Sequence, residues 1–136
     1  MQWQYVEPDE VLKAWQEIGP GIRRGLDRGC GDSLDEEMVV GRLLGGSFQL
    51  WVRVEEDGKI SGSIILYVVQ REKGKAIEVI MTSGKWWNDG LAMAALKDYA
   101  AQIGAYTIEA IIRNGLVSRL KSEGWRQKAV VMDVEI

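Results

Sequence analysis

The sequence contains no histidine and a single cysteine. Without an imidazole there is no general base for a Ser-His-Asp or Cys-His nucleophile system. A zinc site, ordinarily assembled from Cys and His, loses almost all its ligands by the same absence. Cys30 has no internal partner, so a reducing compartment and an inert thiol are expected. No run of Lys or Arg stands out and the formal net charge is −3, which argues against a nucleic-acid or anionic-membrane partner. No apolar stretch is long enough to span a bilayer. The start, MQWQYVEPDE, has neither the basic residues nor the apolar segment of a secretory leader. These absences leave a soluble, cytoplasmic protein as the expectation. With 136 residues, 46% of them hydrophobic, the chain is expected to form one domain over residues 1–136 with a real core.

What is present is a clear order of periodicities. Gln2 to Val6 alternates as a short strand, and Pro8 suits the first turn of a helix. Val11, Leu12, Trp15 and Ile18 give that helix an apolar stripe, and Gly19-Pro20-Gly21 is expected to break it before a second short helix from Ile22 to Arg28. Ser33 with Glu36 reads as a capping box opening a helix that runs to about Leu44. Phe48, Leu50, Val52 and Val54 alternate with Gln49, Trp51, Arg53 and Glu55. Asp57-Gly58 is a hairpin signal, followed by a strand from Ile60 to Val69 and a polar turn at residues 71–74. A strand from Ala76, a helix carrying Ala92, Leu96, Tyr99 and Ile103, and a strand from Tyr106 to Ile112 make a crossover unit, expected to bring two strands together in parallel. A short helix follows over residues 114–123, with Asn114 as its N-cap. Residues 128–136 alternate once more and are expected to form a last strand. The class is α+β: a mixed central sheet flanked by helices, largely an antiparallel meander, with a parallel pair at residues 76–82 and 106–112.

This order of elements resembles the GNAT acetyltransferase superfamily. In that family a strand leads into a turn with Gln or Arg, two residues of any kind, Gly, one more, then Gly or Ala. That turn opens a helix over the pyrophosphate of acetyl-CoA. The matching stretch is Trp87-Asn88-Asp89-Gly90-Leu91-Ala92, with Gly90 and Ala92 in the small positions and Trp87 where Gln or Arg is expected. Asn114, Val117, Leu120, Gly124 and Trp125 match the later Asn…Leu-Tyr…Gly-Phe signature, with Lys121 in the tyrosine position. Family members usually carry two strands after this signature; eleven residues follow Trp125, so one must be short or missing. Compact versions of the fold are frequent among bacteriophage proteins, and a phage or prophage origin is what that implies.

The resemblance implies an acetyl-CoA-binding N-acetyltransferase acting on an amine of unknown identity. Glu78 stands where several members carry a general base, and a carboxylate among Ile77, Val79 and Ile80 is open to a raised pKa by desolvation. Lys121 would then be the proton donor or hold a phosphate. The cofactor-binding set comprises Val79, Ile80, Met81, Lys85, Trp87, Gly90, Leu91, Ala92 and Asn114. Small residues let backbone N–H groups approach phosphates, and Lys85 would add a cation. Asp89 works against that cradle, and Asn88 or Asp89 is equally a helix cap. Glu78 and Glu109 equally read as solvent-facing alternation, and Arg113, Arg119 and Lys121 as an ordinary charged face. The alternative is a catalytically silent GNAT-shaped accessory or structural protein acting by protein binding, or by self-association. Trp86, Trp87 and Trp51 would be its anchors.

Overall fold

The computed structural model describes residues 2–28, 34–84 and 90–136. In chain order the elements are β1 (Gln2–Val6), α1 (Val11–Arg28), α2 (Glu36–Leu44), β2 (Gln49–Val54), β3 (Ile60–Arg71), β4 (Gly74–Ser83), α3 (Gly90–Ile103), β5 (Ala105–Ala110) and α4 (Val117–Ser122). Single 3-10 turns, Pro8–Glu10 and Asn114–Leu116, lead into α1 and α4. The five strands form one sheet in the order β1-β2-β3-β4-β5. Neighbours are antiparallel except β4 and β5, which pair in parallel through the α3 crossover.

Strand alternation divides the apolar residues between the two faces of this sheet. Leu50, Val52, Ile65 and Met81 pack under α1 and α2, together with Val11, Ile18, Ile22, Val39 and Leu43. Ile64, Leu66, Ile77 and Val79 pack on the opposite side with Ala92, Leu96 and Ala100 of α3 and Leu120 of α4. Each Val, Leu, Ile or Met side chain among them, fully buried, contributes about 1.5–3 kcal/mol. β3 and β4 are the centre of both layers, and for that reason they read as apolar on both faces.

The expected break at Gly19-Pro20-Gly21 does not occur: α1 is continuous from Val11 to Arg28 with Pro20 inside it. Val11, Ala14, Trp15, Ile18 and Ile22 form one buried stripe across the proline, so packing holds both halves against the sheet. Pro20 itself is exposed, and its missing donor is the main loss. The cap of α2 is also different from the expectation. Asp35 is the N-cap, accepting from the Met38 N–H at 2.7 Å, while Ser33 lies outside the described residues. Arg113 occupies the cap of the turn that Asn114 begins, so Asn114 is not the N-cap.

The expected last strand is absent. Residues 125–136 form no strand, and Val130, Val131, Met132, Val134 and Ile136 are exposed. Alternation meets the side-chain requirement of a strand, but a ladder also needs a paired edge, and no such pairing forms here. The parallel pair itself is present, over slightly different bounds: Gly74–Ser83 and Ala105–Ala110.

Candidate active site

The candidate site lies where β4 outruns β5. The parallel ladder ends at Val79 opposite Ala110, whereas β4 continues to Ser83, paired there to β3 alone. The two strands therefore part, leaving one backbone edge of Ile80–Ser83 without a strand neighbour among the described residues. A bulge lies at the parting point: Leu66 faces Val79 and Ile65 faces Met81, so Ile80 is an extra residue on β4. A bulge re-aims the side chains and peptide groups that follow it. Consequently Val79 is buried toward α3 while Met81 is buried toward α1.

The far end of β4 is held by close packing. Ser63 and Ser83 share a hydrogen bond at 2.6 Å, with Ser63 fully buried. α1 presses on this end through glycine, since a Cβ at Gly21 would stand 3.2 Å from the Ser83 Cβ. Gly84 then turns the chain off the strand with φ +73°, and a Cβ there would run into the Ser61 carbonyl oxygen. Only glycine takes that conformation against that wall without strain.

α3 begins beyond this turn. A Cβ at Gly90 would meet nothing within 4 Å, so the packing of the described residues does not by itself demand glycine there. Ala92, by contrast, is fully buried, and core packing accounts for its size. Leu91 is exposed. Lys85 and Trp87, and with them Trp86, Asn88 and Asp89, lie outside the described residues.

On the α1 face, a polar row crosses the sheet just before the strands part. Tyr67, Glu78 and Glu109 lie opposite one another on β3, β4 and β5. The Tyr67 hydroxyl donates to Glu78 Oε2 at 2.6 Å, and Arg71 Nη2 lies 3.6 Å from the same oxygen. Arg71 also donates to Glu109, which accepts in addition from Lys128 Nζ at 2.6 Å. The Arg71 guanidinium, then Lys128, hold the Glu109 carboxyl below the usual carboxylate range despite partial burial. The hydrogen bond to the Glu78 carboxylate pushes the Tyr67 phenol up, and burial adds to this. Arg71 is held charged, above its ordinary value, by Glu109 and then Tyr106.

The structure thus brings Val79, Ile80 and Met81 to the parting of the strands, with Glu78 one residue earlier. It does not bring Glu78 and Lys121 together. Lys121 is exposed on α4, a helix anchored through Leu120 to the α3 face, whereas Glu78 contacts Tyr67 on the α1 face. Asn114 is exposed at the start of its 3-10 turn. Trp51 is not a protruding anchor: it is half-buried between Tyr5 and Tyr99, at ring centroid distances of 5.7 and 5.5 Å. Tyr67 and Arg71 were not singled out from sequence, although counting outward from the Glu72-Lys73 turn places Tyr67 opposite Glu78.

No family profile and no curated protein matches the chain. Solved structures do. A tetramutant of the BH1408 protein of Bacillus halodurans is 15% identical and superposes over all of both chains with a TM-score of 0.70. The aminoglycoside acetyltransferase meta-AAC0020, from an uncultured soil metagenomic sample, is 12% identical at TM-score 0.70, covering 99% of this chain and 95% of its own. An acetyltransferase of Trypanosoma brucei is 13% identical at TM-score 0.61, with 99% of each chain covered. A mixed five-stranded sheet with the β4–β5 parallel pair, flanked by helices, gives this chain the fold of GNAT-type acetyltransferases.

Proposed function

We propose that this protein is an N-acetyltransferase that uses acetyl-CoA and acts on an amine. One observation carries the reading: β4 passes β5 by four residues, Ile80–Ser83, with a bulge where the strands part. Such a gap leaves one backbone edge of these residues without a strand neighbour among the described residues, an edge that a ligand's polar groups could pair with. The open start of α3 at Gly90 fits the same ligand, because helix N-termini favour anions such as a pyrophosphate. Bound there, acetyl-CoA would supply an activated acetyl thioester.

The chain's own contributions follow from its residues. Peptide N–H groups within Val79–Met81 would hold the carbonyl oxygen, a role worth several kcal/mol when a donor is fixed in advance. N–H groups of Gly90, Leu91 and Ala92 would face the phosphates, with Lys85, Trp87 and Asn114 as further contacts. Glu78 would accept the proton of the incoming amine, its carboxylate oriented by Tyr67 and Arg71. Lys121 would return a proton to the leaving group, which requires α4 to bring it to the gap.

Titration calorimetry with acetyl-CoA tests this reading. Micromolar binding that Gly90→Glu abolishes is the expected result, and no heat at millimolar ligand overturns it. With a turnover assay in hand, Glu78→Gln is expected to lower kcat by about 100-fold or more while leaving cofactor affinity unchanged. A second reading is favoured by a specific observation: Glu78 is already engaged by Tyr67 and Arg71, on the face opposite Lys121's helix. In that reading the fold is retained without chemistry, as in an accessory or structural protein of bacteriophage type. Absence of cofactor binding together with capture of a protein partner would establish it.

A further inference from the structure

We propose that, given the acetyl-CoA use proposed above, this protein acetylates its own Lys128, with the Nζ amine of the tail as acceptor. Lys128 brings a primary amine to the polar row that precedes the parting of the strands. Its Nζ donates to Glu109 Oε1 at 2.6 Å. Glu109 stands opposite Glu78, and the next rung, Val79 opposite Ala110, is the last of the parallel ladder. The amine is therefore held near a level only two residues, roughly 7 Å of strand, before Ile80 and the gap. It also lies on the side from which an acceptor would come. α3 packs on one face of the sheet through Ala92, so phosphates at its start belong to that face. Glu78 and Glu109 face the other, with Tyr67.

Lys128 is kept within reach without being locked. The Trp125 N–H donates to the Leu120 carbonyl at 3.0 Å, and Trp125 packs into the α3-side core. Lys128 follows that anchor by three residues, a length of chain that spans at most about 11 Å. Its side chain is 59% exposed, and every residue after it is exposed and outside any strand. A tether this short holds the amine at an effective concentration on the order of millimolar, which an amine from outside would have to match. Arg71 makes the departure of Lys128 tolerable. It donates to the same carboxylate, so Glu109 keeps a charged partner when Nζ moves to the gap or loses its charge. Lys121 has no comparable placement, since its helix packs on the other face.

The Lys128 ammonium gives one proton to the Glu78 carboxylate, and the neutral amine attacks the thioester carbonyl carbon. The bond from Nζ to that carbon forms and the carbon–sulfur bond breaks. The sulfur leaves as a thiol, taking a second proton from the nitrogen, and the third stays on the amide. Glu78 then passes its proton to water. One acetyl group has moved, and no oxidant or reductant takes part. The tail now carries a neutral amide where it had a cation, so its ion pair with Glu109 is gone. Arg71 remains as the charged partner of the row, and the place of Nζ is open to an amine from outside.

Mass spectrometry of tryptic peptides, after the full chain is incubated with acetyl-CoA, tests the transfer. Acetylation blocks cleavage after Lys128, so the modified site is read as one peptide, Gln127 to Ile136, in place of two. Label is expected at Lys128 at least about 100-fold faster than at the exposed Lys13 and Lys97, the gain a short tether gives. The rate per chain is expected to stay constant as the protein is diluted. Lys128→Arg, which keeps a cation for Glu109, is expected to lower acetyl uptake to that of the remaining lysines. In a mixture with wild type, Glu78→Gln chains are expected to stay unlabelled at Lys128. Labelling of Lys128 no faster than of Lys13 and Lys97, or equally fast in the urea-unfolded chain, overturns the proposal. Label on the Glu78→Gln chains means transfer between chains and overturns it too. Calorimetry separates the two levels: acetyl-CoA that binds without labelling Lys128 overturns self-acetylation alone, whereas no binding at millimolar acetyl-CoA overturns the cofactor reading with it.

Discussion

Arg71 reaches from β3 to carboxylates on β4 and β5, and Tyr67 donates to one of them. Glu109 has its folded pKa depressed by Arg71 and then Lys128, so its contribution to stability is fully present above the unfolded value of about 4.3. That contribution is lost as pH falls through the depressed folded value. Glu109→Gln is therefore expected to lower the urea midpoint at pH 7, with the gap to wild type closing as pH is taken below about 4. Equal gaps at both pH values would mean that the ion pairs contribute nothing. Tyr67→Phe is expected to cost about 1 kcal/mol in the same assay, since it leaves a half-buried carboxylate one donor short.

At the level of elements, sequence periodicity and structure agree wherever one residue pattern decides. β1, the β2-β3-β4 meander and the α3 crossover were legible because their alternations and turn residues point the same way. Pro20 was not, because a propensity argument sees the lost donor and not the buried stripe that runs through it. This makes Pro20→Ala informative. The side chain is exposed, so the substitution restores a helix donor at little packing loss and is expected to raise stability by up to about 3 kcal/mol, read from denaturant unfolding. Gly84 stands at the other extreme. Gly84→Ala places a Cβ on the Ser61 carbonyl in a left-handed conformation and is expected to destabilise by more than about 1 kcal/mol. The stretch from Ala76 to Trp125 was legible as a strand-helix-strand crossover, but the shape of the gap between its strands was not. Neither the four-residue overrun of β4 nor the bulge at Ile80 leaves a mark in composition, since both depend on where β3 and β5 happen to pair. The tail from Lys128 has the pattern of a strand without a ladder, which pattern alone does not reveal.

For the whole molecule, two apolar layers share one sheet, and β3 supplies both: Ile65 to one side, Ile64 and Leu66 to the other. Loss of β3 from the sheet would therefore uncover both layers at once. Leu50→Ala in the α1-side layer and Leu66→Ala in the α3-side layer are each expected to cost about 2–5 kcal/mol. Both are expected to shift the same single transition, followed by tryptophan fluorescence and far-ultraviolet dichroism. Two separable transitions would mean that the layers unfold independently. The order of the strands has one more consequence, for the growing chain. Each strand lies beside its immediate predecessor in the sequence, so the sheet can be laid down in the direction of synthesis. The long closure, from β1 to β2, is bridged by α1 and α2, and the turns from β2 to β4 are short. A nascent chain that has cleared the ribosome through Ala110 already carries every strand found among the described residues, and what emerges afterwards adds α4 to one face.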